Sequence, residues 1–305
     1  MDFRATLEIQ GKSHIFTGAR IFKTKIYKYK RIYYLNEMFD KIVIATDDSP
    51  IMEAAMEYTL NLFPDSEYYL ISVVNTTDRS IPHNITMREE KRKVATEALE
   101  DGKETLNEKG ISPVEMRKPE GVPSKEIKKY ADEVNADLLV MASHSKMGAQ
   151  RVHIGETTLN YLKVTTHPSM IFPRCCPARI PETIFNPTTF SSYSEEATMI
   201  GLDLAQHFDA SLTSFHFADD DPGPSARRIK KRAEQLGVEY TLEIKKGASD
   251  QEIIDRMRDF DFMIGSRGRK GILYKLHHIF PKLSLSKLER EIIAEAEIPI
   301  LMTGD

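Results

Sequence analysis

A chain of 305 residues exceeds what one hydrophobic core usually serves, so two domains are expected. Hydrophobic residues at 41% and charged residues at 29% suit a globular protein, and a net charge of −4 gives no general attraction to nucleic acid or an anionic membrane. No stretch approaches the ~20 apolar residues of a membrane-spanning helix, and no apolar leader opens the chain. The expected location is therefore the cytoplasm. The two cysteines, adjacent at 175 and 176, lack the spacing of a zinc site or a disulfide framework.

Residues 1–37 carry eight Lys/Arg against three acidic residues, and Ile21–Leu35 mixes lysine with isoleucine and tyrosine. A strand with one basic face fits that pattern, but a single basic run is more often a solvated extension. The regular pattern begins only at Met38. KIVIAT (Lys41–Thr46) reads as a buried parallel strand. Ser49 and Pro50 then open a helix whose apolar face is Ile51, Ala55, Tyr58 and Leu62.

A second strand is expected at Tyr68–Val74. Thr86 and Glu89 form a capping box for a long helix with Ala95, Ala98, Leu99, Gly102 and Leu106 on its apolar face. A strand near Val114–Lys118, a helix over Ser124–Val134, a strand at Asp137–Ser143, a further helix and the strand Ser169–Phe172 complete the first set. Residues 174–182 read as a linker.

The same order then recurs. Strands are expected at Thr183–Thr188, Ser211–Phe217, Glu239–Ile244, Asp261–Ser266 and Ile298–Met302, with helices between them. Strand–helix alternation with apolar strands implies parallel sheets covered on both faces.

Three places in each half carry a family resemblance. After the first strand stand TDDS (Thr46–Ser49) and PTTFS (Pro187–Ser191). After the third stand GVPSKEI (Gly121–Ile127) and GASDQEI (Gly247–Ile253). After the fourth stand ASHS (Ala142–Ser145), followed nine residues later by GET (Gly155–Thr157), and GSRG (Gly265–Gly268). Glycines after a strand let backbone amides approach phosphate oxygens, and an Asp after the first strand can accept from ribose hydroxyls.

Each half thus resembles the universal stress protein family. The resemblance implies two tandem doubly wound α/β domains of adenine nucleotide alpha hydrolase-like, Rossmann-like fold. These would be residues 38–173 and 183–305, packed as an intramolecular pseudo-dimer through their last strands. It also implies an adenine nucleotide ligand such as ATP, with Mg only alongside the nucleotide. Domain 1 would bind through Asp47, Ser49, Val73, Ala142, Ser143, His144, Ser145, Gly155, Glu156 and Thr157.

Domain 2 would bind more weakly through Thr189, Gly265, Ser266, Arg267 and Gly268. Neither half keeps the whole motif. Ala142 and Ser145 replace glycines, Glu156 stands where a hydroxyl residue belongs, and Thr189 replaces the Asp. Counting back from Pro299 places an insertion near residues 277–284. Ser286 with Glu289 then reads as a helix cap.

No nucleophile elbow, zinc-protease motif or metal-ligand cluster is present, so no catalytic or metal residue is assigned. HIGE (His153–Glu156) and KLSLS (Lys282–Ser286) match two synthetase strings, but they lie beyond the wrong strands. The expected function is a stress-responsive, nucleotide-binding sensor or adaptor with a protein partner, and a further homodimer is allowed. The alternatives are an interaction module without ligand and a slow ATP hydrolase.

Overall fold

The computed structural model describes residues 5–9, 12–16, 38–76, 85–143, 154–174, 176–219, 221–267 and 285–303. Backbone proximity divides the chain into residues 1–38 and 39–305. The first unit holds a hairpin of β1 (Ala5–Ile9) and β2 (Lys12–Phe16), antiparallel with Ala5 opposite Phe16. The sequence reading did not foresee this pair, and the basic stretch over residues 21–35 lies outside the described residues.

The second unit opens with β3 (Lys41–Ala45), and Asp47–Ser49 turn it into α1 (Pro50–Leu62). Ser49 Oγ accepts from the Met52 amide, and Pro50 stands where a missing N–H leaves nothing unpaired. Ala55, Tyr58 and Leu62 are buried as expected, whereas Ile51 is only half-buried.

β4 (Glu67–Ile71) stops short of the Val74 expected as its end, and Val74–Asn75 form a separate short strand, β5. α2 (Ile85–Glu108) is already helical at Ile85, ahead of the cap expected at Thr86, and buries the five residues read from its periodicity. Gly102 is one of them. A Cβ there would lie 3.3 Å from Leu70 Cδ1 and 3.4 Å from Met56 Cε, so glycine lets α2 lie close over α1 and β4. Then come β6 (Glu115–Arg117), β7 (Glu120–Gly121), α3 (Pro123–Val134), β8 (Leu138–Ala142), α4 (Glu156–Leu162) and β9 (Ser169–Phe172).

The second series is β10 (Thr183–Thr188), α5 (Ser192–Phe208), β11 (Ser211–His216), α6 (Gly223–Leu236) and β12 (Tyr240–Ile244). It closes with α7 (Asp250–Met257), β13 (Phe262–Ser266), α8 (Lys287–Glu295) and β14 (Ile300–Thr303). Ser286 and Glu289 make the capping box of α8. No described helix is long and apolar enough to cross a membrane.

The ten main strands form one sheet in the order β12-β11-β10-β13-β14-β9-β8-β3-β4-β6. Every pairing is parallel except β14 with β9, which is antiparallel. Each half therefore runs 3-2-1-4-5 in its own strand order, and the fifth strands meet at the centre. Met170 faces Leu301 there, flanked by Ile171–Ile300 and Ser169–Met302. Counted from Pro168 and Pro299, Met170 and Leu301 hold the same place, so a pseudo-twofold axis passes between them. The doubly wound fold and the pseudo-dimer expected from the sequence are both present.

The register also fixes which residues correspond. The amides of Asp137 and Asp261 donate to Lys41 and Thr183 carbonyls, and their carboxylates accept from the same two residues' amides at 2.9 and 3.2 Å. Counting on, Met141 matches Gly265, Ala142 matches Ser266, and Ser143 matches Arg267. The sequence comparison had set Ala142 against Gly265, one residue out of step.

Candidate functional site

In the first half the strand order reverses between β3 and β8, because α1 leads one way along the sheet and α3 the other. Doubly wound sheets leave a crevice at that point, beyond the carboxyl ends of the strands. A cavity of about 880 Å³ lies there, within the usual range for small-molecule sites.

Its walls combine the ends of β3, β4 and β8, the short strand β5 (which pairs with β7), the first half of α2, and the starts of α3 and α4. Ile71, Val73, Met141, Ala142, Ala95 and Ala98 supply apolar surface, while Asp47, Asn75, Lys91 and Glu156 bring polar groups.

Local sequence sets these positions. Asp47 Oδ1 accepts the Ser49 amide at 3.0 Å, a turn closed by the side chain that fixes the carboxylate beside the cavity. Thr46 bonds inward, its Oγ1 donating to Ala98 O at 3.3 Å and tying β3 to α2. α4 (Glu156–Leu162) has Gly155 as its N-cap residue, which carries no side chain to bond the first amides. Thr158 Oγ1 donates to Ala142 O at 3.0 Å and thus holds the start of α4 against the end of β8.

The β5–β7 ribbon is fastened to α2. Arg92 and Arg88 both bond Glu120, Arg88 Nε at 3.1 Å. The two guanidiniums, Arg92 foremost, pull the Glu120 carboxyl down to about 2. Lys91 Nζ donates to Asn75 O at 3.3 Å from the same helix.

Of the residues anticipated in the first half, Asp47, Val73, Ala142, Gly155, Glu156 and Thr157 line the cavity together. Ser49 serves as the cap of α1, and Ser143 is buried with its amide on Phe172 O at 2.8 Å. His144 and Ser145 lie outside the described residues. The sequence reading missed Asn75, Glu90, Lys91, Ile154 and Thr158. The buried stripe of α2 pointed to core packing, and only tertiary placement brings its first turns to the cavity.

The equivalent place in the second half is built differently. Phe190 stands in the left-handed region at φ 54°, its amide bonded to Thr188 Oγ1 at 3.0 Å. Its ring lies 5.5 Å from the fully buried His216, which occupies the place of Ser72. Thr189 shares a hydrogen bond of 3.4 Å with Ser194 in α5. Gly265 remains inside β13, paired with Met302, so the register leaves this glycine in the sheet rather than in the loop.

Arg267, expected beside a phosphate, points instead into the first half. It is more than nine-tenths buried and donates to Thr303 O at 3.2 Å, Leu162 O at 3.2 Å, Thr165 O at 2.7 Å and His167 O at 3.2 Å. Ser266 ends β13, and Gly268 with the insertion near 277–284 falls outside the described residues. Among the described residues no group of three His, Cys, Asp or Glu could hold a metal ion.

A model of the universal stress protein family matches residues 38–173. A universal stress protein of Methanocaldococcus jannaschii is 29% identical over 140 residues, which are 44% of this chain and 82% of that protein. Among solved structures, a universal stress protein from Archaeoglobus fulgidus superposes with a TM-score of 0.71 at 18% identity, covering 87% of this chain and 98% of its own. One from Pseudomonas aeruginosa gives 0.59 at 12% identity, covering 88% and 94%. At these identities the two structures show the shared fold, which spans both halves of the sheet. A universal stress protein domain therefore spans residues 38–173, within a chain whose fold is that of the solved universal stress proteins.

Proposed function

We propose that the first half binds an adenine nucleotide in the cavity between β3 and β8, and that occupancy is read by a protein partner. The carrying observation is the cavity itself: apolar walls at the switch point of the sheet, with Asp47 fixed at its side and Gly155–Thr158 in its lining. In this reading the base lies against Val73, Met141 and Ala142, and Asp47 accepts from ribose hydroxyls. The amides of Gly155–Thr157 approach the phosphates, and a divalent cation enters only with them. Residues 38–173 and 183–305 are two repeats joined by 174–182, of which the first keeps the ligand site.

Titration calorimetry with AMP and ATP tests this. Asp47→Ala should weaken both about tenfold, the loss of one good polar contact at ~1.4 kcal/mol. Glu156 is exposed at the rim, where a charge ~4 Å away is worth about 1 kcal/mol in water. Glu156→Ser should therefore strengthen ATP about fivefold, and AMP less. Absence of heat with either nucleotide, in the native chain and in Glu156→Ser, would sink the reading and leave an interaction module without ligand.

A further inference from the structure

We infer that Arg267, a residue of the second half, positions the cavity wall of the first half by gripping α4. The consequence for nucleotide affinity rests on the function proposed above, but the placement of α4 does not. A guanidinium so buried needs its charge compensated. Here four carbonyls accept from it, three of them in the first half.

Leu162 is the last residue of α4, and Thr165 and His167 follow in the turn that leads to β9. Nη1 and Nη2 reach all three, so Arg267 caps the carboxyl end of α4 from across the sheet seam. A cation at that end also meets the negative pole of the helix. Charge-assisted bonds of this kind are the stronger ones.

α4 is two turns long, and its other end forms the cavity wall at Gly155–Thr158. Thr158 fastens that end to Ala142 O and Arg267 fastens the other, so the helix is held at two points. Loosening one point lets the short helix pivot on the other, and the amides beside the cavity move with it.

Ser143, which holds the corresponding place in the first half, has no side chain able to span that distance. Among the described residues the grip therefore runs one way. The second half supports the site of the first.

The experiment compares the full-length native chain with Arg267→Met and Arg267→Lys by amide NMR and hydrogen exchange, with calorimetry of AMP. Arg267→Met should speed exchange of Leu159–Leu162 at least tenfold while β10–β12 stay as protected as before, and it should shift the Gly155–Thr158 amide resonances. AMP should bind three- to tenfold more weakly, and Arg267→Lys should recover part of both effects.

A uniform rise in exchange over the whole sheet would mean that Arg267 serves stability alone and would overturn the inference. Unchanged exchange and resonances in α4 would overturn it as well. Loosened α4 with unchanged AMP affinity would remove the positioning role. If the native chain binds no AMP, the function proposed above fails, and the α4 measurements still decide whether Arg267 holds the wall. Should Arg267→Met not fold, Arg267→Lys carries the same comparison.

Discussion

The two halves of the sheet share a strand order and differ in what fills it. In the first half the core behind α1 is apolar: Ile44, Leu70 and Met56 are all buried. The register places Asn186, Ser214 and Thr198 at the same three positions in the second half, and these are buried too. They satisfy one another. Thr198 Oγ1 and Ser214 Oγ donate to Asn186 Oδ1 at 2.7 and 3.1 Å, and Asn186 Nδ2 donates to Ile264 O at 3.0 Å.

Pro187 follows Asn186 and brings no amide to the ladder of a central strand, so the side chain next to it supplies a donor instead. The cavity of the first half and the Phe190–His216 pair of the second continue the same contrast. A common topology does not require a common interior. Once each buried polar group has a partner, the sheet tolerates either kind of core.

The sharpest way to break the comparison is at the axis, where the halves should behave alike. Leu301→Asp places an unpaired charge at a site 1% exposed, facing Met170. Urea unfolding should show a loss of more than about 4 kcal/mol, and Met170→Asp should match it. A large difference between the two would mean that the seam is not symmetric.

Next in size is Asn186→Ala, which strands the Ser214 hydroxyl and the Ile264 carbonyl, Thr198 keeping its bond to Ser194 O, and should cost about 2–4 kcal/mol in the same assay. The corresponding apolar change, Ile44→Val, should cost only about 0.5–1.5 kcal/mol. Equal losses would show that the polar network contributes no more than volume.

The smallest effect is electrostatic and appears in both halves. Glu120 is held at about 2 by Arg92 and then Arg88, and Glu252 at about 2 by Lys245 and then Ser249. Each carboxyl sits below its ordinary 4.5. The stabilisation it brings is present above that value and fades as the pH falls from about 4.5 to about 2. Carboxyl NMR titration should place both midpoints near 2, and Arg92→Met should raise Glu120 toward 4.5 while leaving Glu252 in place. A Glu120 midpoint near 4.5 in the native chain would remove the arginine link between β7 and α2 and leave only Lys91 on Asn75 O.

Much of this architecture was legible in the residues. Strand–helix alternation and the repeat follow from apolar periodicity, and the meeting of the last strands from the family resemblance. The five buried residues of α2 follow from spacing alone, and the walls at Asp47 and Gly155–Thr157 from motif position. What escaped depends on register and on contacts distant in sequence. The string GSRG aligns with ASHS by eye, yet the Asp261–Thr183 bonds set β13 one residue away from that match. Glycine inside a strand and glycine after it look identical in a string. Arg267 carried the expected charge for a phosphate, but its partners lie about a hundred residues away in sequence. Lys91 entered the cavity through the packing of α2, which no local pattern encodes.

The antiparallel seam also sets a schedule for synthesis. β9 is complete at Phe172, and its partner β14 ends at Thr303, 131 residues later by subtraction. At roughly 5–20 residues per second, the first half emerges from the ribosome and waits about 7–26 s with an apolar edge strand unpaired. Such an edge is a template for other chains, including the neighbour on the same message. Slower translation of β10–β13 would lengthen that exposure, and the yield of soluble protein would then depend on codon choice in a region far from the cavity.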